Sequence, residues 1–351
     1  MRTVSAALST GNVVVLKPDP NTPISGGVII ARAFEEAGLP KGILHVVSGE
    51  KEAGEALCLA RDVQMIQFTG LTATGRRIDE LAGKTLKKVS VELGGNNAPI
   101  VLDDADLELA VNNAVWGAFL HQGQICMASS RIFVQNTIRQ EFTLKFSQQV
   151  AALKMGHPGD AAAALGPVIN ERQLDRLQSI VQASVSAGAG VETGGGYKGL
   201  YHEATVPSGV KPGMRAFEEE TFGPVANLIG FDTDEDAIGL ANLHDAALAA
   251  AVISRSVGRA TRIAETLNAA WSTSTIRPLT TTATIPSAFR GWREREVASG
   301  VQRTNTSTLR GSGSPSRTNH PATPSKIGQS ANPNLTTRCR FHGTYGPLIW
   351  R

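Results

Sequence analysis

Cysteine is scarce in this chain, with 3 among 351 residues, at positions 58, 126 and 339. Their number and uneven spacing exclude a disulfide scaffold and fit a reducing compartment, so a cytoplasmic location is expected. There is no Cys-x-x-Cys and no histidine pair at helical spacing, so no metal site is expected. No run of 18 apolar residues occurs, which speaks against a membrane-spanning helix. The segment after Met1-Arg2-Thr3 lacks the apolar core of a signal peptide.

The hydrophobic content of 41% suits a globular core, and 351 residues can form two ordinary domains. The formal charge of +3 hides an asymmetry: residues 271–351 hold 11 Lys+Arg against 2 Asp+Glu, a net of +9, which leaves −6 for residues 1–270. A mildly acidic body offers no electrostatic case for binding nucleic acid. A basic tail by itself lacks the interleaved aromatics that such binding uses.

Short apolar runs alternate with helical patterns. Val13–Leu16, Leu44–Val47 and Met65–Phe68 read as buried strands. Helices are expected from Pro23 to Gly38 and from Lys51 to Ala60, where Cys58 sits among Ala and Leu as packing. Further on, Ala98–Leu102 and Ala249–Ser254 read as strands, and 137–153, 170–187 and 257–268 as helices. Asp106 is an expected N-cap, and Trp116 and Phe119 are expected in the core. Alternation of this kind calls for a parallel sheet with helices on both faces, an α/β fold.

Two stretches carry chemistry. In Gly123-Gln124-Ile125-Cys126-Met127-Ala128-Ser129-Ser130-Arg131 a thiol sits in a small polar loop just ahead of a strand. In Val91-Glu92-Leu93-Gly94-Gly95-Asn96-Asn97 a carboxylate ends a strand, and two glycines let other backbone approach closely. A thiol and a carboxylate at one cleft can run nucleophilic and general-base steps in sequence. A buried cysteine beside a chance glycine pair is the plain alternative. Phe68-Thr69-Gly70-Leu71-Thr72-Ala73-Thr74-Gly75 places two glycines at a strand-to-helix turn, where free N–H groups favour a phosphate; a merely capped turn reads equally well. Phe217–Val225 taken alone is an acidic, solvated turn entering a strand.

Taken together, the Glu92 and Cys126 stretches resemble the active-site signatures of the aldehyde dehydrogenase superfamily, and the likeness runs from about Thr10 to Asn268. The resemblance implies a partial Rossmann-like cofactor domain (1–94) and an α/β catalytic domain (95–270); residues 271–351 carry no family resemblance and read from their composition as a disordered, low-complexity tail. The resemblance also implies NAD or NADP as coenzyme and a small-molecule aldehyde as substrate. Cys126 is then the nucleophile and Glu92 the base that activates water. Lys17 reaches the adenosine ribose, Gly70, Thr72 and Gly75 form the turn near the pyrophosphate, Glu220 grips the nicotinamide ribose, and Phe222 packs beside the nicotinamide. Arg131 reads as an anchor of the cysteine loop rather than a substrate ligand.

The chain departs from the family pattern in two places near the coenzyme. Leu71 stands where a serine is usual, which removes a hydrogen bond worth ~1 kcal/mol. Pro20 stands where NAD-preferring members carry a glutamate, which leaves the choice of NAD or NADP open. Lys17-Pro18-Asp19-Pro20 and Gln122–Met127 look most like the benzaldehyde and vanillin dehydrogenase branch. At Trp271 the composition changes: Ser and Thr make up 24 of the last 81 residues. Codons able to encode Trp271–Arg277, read from the last base of the Ala270 codon, spell Met-Val-His-Ile-Asn-Asp-Pro, a run the family expects here. A frameshift or misplaced exon junction near Ala270 follows, with loss of the interface strand of a family that is commonly oligomeric. Met1 aligns inside the cofactor domain, so truncation upstream is expected too. The alternatives to a dehydrogenase are a thiol esterase using the same cysteine and an inactive fragment.

Overall fold

The computed structural model describes residues 2–244, 247–275 and 282–285. The chain divides into two compact units, one of residues 1–65 and one beginning at Ile66.

The first unit contains α1 (Arg2–Ser9), β1 (Val14–Leu16), α2 (Ile29–Glu36), β2 (Leu44–Val46) and α3 (Lys51–Leu59). A π-helical turn, Ile24–Val28, leads into α2. The strands pair in parallel, Val14 opposite Leu44 and Leu16 opposite Val46. The core is small: Val4, Ala7 and Val14 are buried, with Leu8, Leu16, Ile30, Phe34 and Leu44 packed around them. Ile24 and Ile29 remain more than half exposed. Cys58 is buried on α3, as its apolar neighbours predict.

The second unit begins with β3 (Met65–Gly70), α4 (Thr72–Gly83) and β4 (Lys88–Leu93); β3 and β4 pair with each other. Then follow β5 (Ala98–Val101), α5 (Leu107–Phe119), β6 (Arg131–Gln135), α6 (Asn136–Ala151) and α7 (Glu171–Ser186). Four short strands absent from the sequence reading come next: β7 (Gly190–Thr193), β8 (Tyr197–Lys198), β9 (Tyr201–His202) and β10 (Val206–Ser208). The rest is α8 (Arg215–Glu218), β11 (Asn227–Phe231), α9 (Asp234–Asn242), β12 (Ala247–Ile253), α10 (Val257–Thr266), β13 (Ala269–Thr275) and β14 (Thr282–Ile285).

The six-stranded sheet has the order β11-β6-β5-β12-β13-β14. Every pairing is parallel except β13 with β14. Successive side chains on a strand point to opposite faces, and both faces here are covered. Ile100, Phe133, Ile229 and Val252 join one apolar cluster with Ile180, Phe217 and Ile263. Their neighbours Val101, Ile132, Val134, Leu228 and Ile253 join a second with Ala114, Phe142 and Phe146. Near-continuous apolar runs therefore make two cores, one on each face.

Two expectations need correction. Trp116 is 68% exposed, not in the core, because it lies on the outer face of α5 while Ala114, Ala118 and Phe119 face inward. Residues 271–275 and 282–285, placed by sequence in a tail without strand character, form β13 and β14. The backbone of 271–275 enters the sheet because β12 supplies a parallel partner, from Ala249 opposite Trp271 to Ile253 opposite Thr275, and β14 then adds antiparallel to β13. The remaining tail lies outside the described residues.

Candidate active site

Cys126 follows a left-handed stretch of backbone. His121, Gln122 and Gly123 have φ of 51°, 58° and 66°. Such a conformation costs a non-glycine residue on the order of 1–3 kcal/mol and persists only where the surroundings over-determine it. They do so here. Gly123 packs against the Gly223 backbone so closely that a Cβ would meet the Gly223 carbonyl. The Gln124 carboxamide oxygen accepts from the Ile169 N–H at 3.1 Å. The Ser129 N–H donates to the Gly117 carbonyl at 2.9 Å.

The two asparagines after the glycine pair hold the far side of the loop, and their place after those glycines is their only signal in the sequence. Asn96 and Asn97 are both buried. Asn97 Nδ2 donates to the carbonyls of Cys126 and Ala128, each at 2.8 Å. Asn96 Nδ2 donates to the Phe217 carbonyl at 2.8 Å, and its Oδ1 accepts from the Ser130 hydroxyl at 3.0 Å. Arg131 is fully buried, and its Nε and Nη2 donate to the Asn96 carbonyl at 3.1 and 2.7 Å. Its guanidinium lies 5.4 and 5.1 Å from the Phe133 and Phe217 ring centres. Burial, opposed by the negative charge of Glu218, pulls Arg131 down to about 10. Arg131 is thus an anchor of the loop, as the sequence implied, and it acts through Asn96.

Glu92 stands one residue from the end of β4, half-buried. Burial pushes the Cys126 thiol above its ordinary range, and the charges of Glu92 and then Glu220 push it the same way. The backbone N–H groups of Cys126 and Met127 oppose the shift. The structure therefore brings Glu92, Glu220 and Cys126 within electrostatic reach of one another, although 94 residues separate Cys126 from Glu220 in sequence.

Glu220 departs from the solvated turn read in its local sequence. Its Oε1 accepts from the Gly95 N–H at 2.8 Å. A Cβ on Gly94 would fall on the Glu220 carboxylate, and one on Gly95 would fall on the Cys126 carbonyl oxygen. The glycine pair is needed on both counts. Phe222 has φ 49°. Its carbonyl and that of Thr221 accept from Gln173 Nε2 at 2.9 and 3.0 Å, so α7 fixes the turn. A narrow crevice runs between the two loops, lined by Gly95, Gly123, Ile125, Glu220, Phe222 and Gly223.

Gly70 ends β3, and Thr72 opens α4. Leu71 occupies the N-cap with an exposed side chain and makes no side-chain cap bond, so the first-turn N–H groups of α4 are uncapped. Gly75 is buried where a Cβ would collide with Leu93, the neighbour of Glu92. Uncapped donors at a helix start, with bare glycine backbone beside a carboxylate, fit the pyrophosphate and ribose of a dinucleotide. Lys17 belongs to the first unit. Its Nζ donates to the Pro18 carbonyl at 3.2 Å, and its stem passes beside Gly54. Nearby residues Pro18, Asp19, Pro20, Ser48, Gly49 and Glu50 line a cleft of about 160 Å³ just past the carboxyl ends of β1 and β2. Clefts at that end of parallel strands are where ligands bind in open α/β sheets.

Among the described residues no cluster of three or more His, Cys, Asp or Glu could hold a metal ion. No helix among them is long and apolar enough to cross a membrane.

The aldehyde dehydrogenase family model matches residues 1–308, past the point near Asn268 where the motifs run out. The chain is 47% identical to the benzaldehyde dehydrogenase [NAD(+)] of Pseudomonas putida over 268 residues, covering 76% of this chain and 55% of that one. It is 45% identical to the vanillin dehydrogenase of an Amycolatopsis strain over 265 residues, 76% and 54% of the two chains. Lactaldehyde dehydrogenase from Escherichia coli superposes with a TM-score of 0.77 at 34% identity, over 82% of this chain and 61% of that one. Betaine aldehyde dehydrogenase from Staphylococcus aureus in complex with NAD+ does so with 0.75 at 34% identity, over 81% and 59%. The chain spans about half the length of the curated relatives it matches. With those matches and the arrangement around Cys126, the chain belongs to the aldehyde dehydrogenase family.

Proposed function

We propose that the chain carries the catalytic centre of an NAD(P)-dependent dehydrogenase that oxidises an aldehyde, aromatic by its likeness to benzaldehyde and vanillin dehydrogenases, to the carboxylic acid. The observation that carries this reading is that the charges of Glu92 and Glu220 both reach the Cys126 thiol, with Glu220 lining the crevice beside the cysteine loop. Cys126, as thiolate, adds to the carbonyl carbon. The backbone N–H of Cys126 lies beside that centre and can donate to the developing oxyanion. When bound, the coenzyme supplies the hydride acceptor. Glu92 then takes a proton from water, which attacks the Cys126 thioester, releases the acid and restores the thiol.

Residues 1–94 form the coenzyme-binding part, which also supplies Glu92, and residues 95–270 the catalytic part, which also lends Glu220 and Phe222 to the coenzyme. Lys17 would hold the adenosine ribose, Gly70, Thr72 and Gly75 the pyrophosphate, and Glu220 and Phe222 the nicotinamide end.

The test is NAD(P)H formation at 340 nm with purified protein, benzaldehyde and each coenzyme, beside Cys126→Ala. Turnover lost in Cys126→Ala is the expected result. Equal turnover in the two proteins overturns the scheme. Cysteine-dependent cleavage of a p-nitrophenyl ester with no coenzyme reduction would assign a thiol hydrolase instead.

A further inference from the structure

We propose that Asn97 is a positioning residue for the nucleophile, a clamp that orients the Cys126–Met127 peptide by gripping its carbonyl oxygen. The proposal rests on the reading of Cys126 as the nucleophile. Asn97 is 2% exposed, and its carboxamide is used at both ends. Nδ2 spans the cysteine loop by donating to the carbonyls of Cys126 and Ala128, each at 2.8 Å. Oδ1 accepts from the Ala249 N–H of β12 at 2.7 Å. Its own carbonyl accepts from the Arg131 N–H at 3.2 Å. One side chain therefore ties the loop to the middle of the six-stranded sheet.

The consequence for chemistry follows from peptide planarity. The Cys126 carbonyl and the Met127 N–H belong to one rigid unit and point in opposite directions. Holding the oxygen on Asn97 aims the Met127 N–H, the weaker of the two backbone N–H groups that favour the thiolate. The charges of two carboxylates reach the sulfur, Glu92 near the end of β4 and Glu220 in the turn after α8, and both oppose the thiolate. No cation acts on the sulfur among the described residues. Backbone N–H groups are what favour the thiolate here, and one of the two is aimed through Asn97. Gly95 closes the arrangement from the other side, since a Cβ there would press on both the Cys126 carbonyl and Asn97 Oδ1.

The experiment is the pH dependence of Cys126 alkylation by iodoacetamide in the full chain, with Cys126→Ala subtracting the other thiols. Asn97→Leu keeps the bulk and removes the donors. The midpoint should rise by about half to one pH unit, cutting the thiolate fraction near neutral pH about three- to tenfold. Asn97→Ser, with one hydroxyl donor, should recover part of that shift. A lower melting temperature with an unchanged midpoint would overturn the proposal and leave Asn97 a packing residue. If Asn97→Leu does not unfold cooperatively, Gly95→Ala decides: a Cβ that presses on the Cys126 carbonyl and the Asn97 carboxamide together should break the clamp and raise the midpoint, and no rise overturns the clamp. Absence of Cys126-dependent alkylation in the unmodified chain would sink the nucleophile reading as well, whereas an unchanged midpoint in reactive variants sinks only the positioning.

Discussion

The two units of this chain differ in how much holds their functional residues. Lys17 directly follows a three-residue strand in a two-stranded sheet, over a core of three buried residues. Cys126 and Glu220 lie on loops that enter a six-stranded sheet covered on both faces, and buried side chains tie those loops down. Placement of a reacting atom must hold to a fraction of an ångström, and such placement needs supports that are themselves locked by packing and hydrogen bonds. A residue that meets an extended ligand with one flexible amine tolerates more. On the proposed assignment the thinly packed unit carries a binding group, and the deep sheet carries the chemistry.

The largest effect that would break this comparison is on Glu92. If hydrolysis of the thioester belongs to the larger unit, Glu92→Gln should lower steady-state turnover by about 10²–10⁴-fold and leave a burst of NAD(P)H from the first half-reaction. Stopped-flow absorbance separates the two phases; a normal steady state would remove Glu92 from the scheme. Next in size is the packing contrast. Phe146 is fully buried and stacks on Phe142 with ring centres 5.5 Å apart. Phe146→Ala should destabilise the sheet unit by about 3–5 kcal/mol. Val14→Ala, which removes two methyl groups from the smaller core, should cost about 2 kcal/mol or less. Urea unfolding of the two variants measures the difference, and equal losses would erase the contrast.

A smaller effect concerns charge. The Arg259 guanidinium holds the Asp234 carboxyl below its ordinary value, with Nη2 to Oδ1 at 2.6 Å. A depressed carboxylate contributes stability that is present above its unfolded value and lost as pH falls through the folded one. The urea midpoint should accordingly fall below about pH 4, and Arg259→Met should flatten that part of the profile. An unchanged profile in the variant would show that the pair is energetically silent. The smallest effect belongs to coenzyme binding. Leu71→Ser restores a hydroxyl at the uncapped start of α4 and should tighten NAD+ binding by ~1 kcal/mol, roughly fivefold in Kd by titration calorimetry. Unaltered affinity would place the phosphates elsewhere.

How much could be read from the chain depended on the range of the interaction. The strands at 14–16, 65–70 and 98–101 and the helices at 136–151 and 171–186 fall where apolar periodicity and breakers predict them. The Asp106 cap was legible too, because an N-cap bond spans three residues, here to the Leu109 N–H at 3.1 Å. The strands from 190 to 208 were not legible: they are two to four residues long, too short for a period to register. Trp116 misled because an aromatic on a helix leading to a catalytic loop reads as core, and periodicity does not say which face of α5 meets the sheet. Residues 271–275 misled in the opposite sense. Their strand comes from pairing with β12, not from any pattern of their own.

The site divides in the same way. Glu92, Cys126 and the glycines are visible because their local motifs are chemically specific. Glu220 reads as solvated until the fold sets its carboxylate on the Gly95 N–H, 125 residues away. Sequence by itself determined the family and the alternation of strands and helices, and it named the residues proposed to react, since each is written in patterns a few residues long. Only the tertiary structure decided what holds the thiol. Asn97 meets the Cys126 carbonyl from 29 residues away and the Ala249 N–H from 152, and hydrogen bonds over such separations exist only once the sheet has set its register.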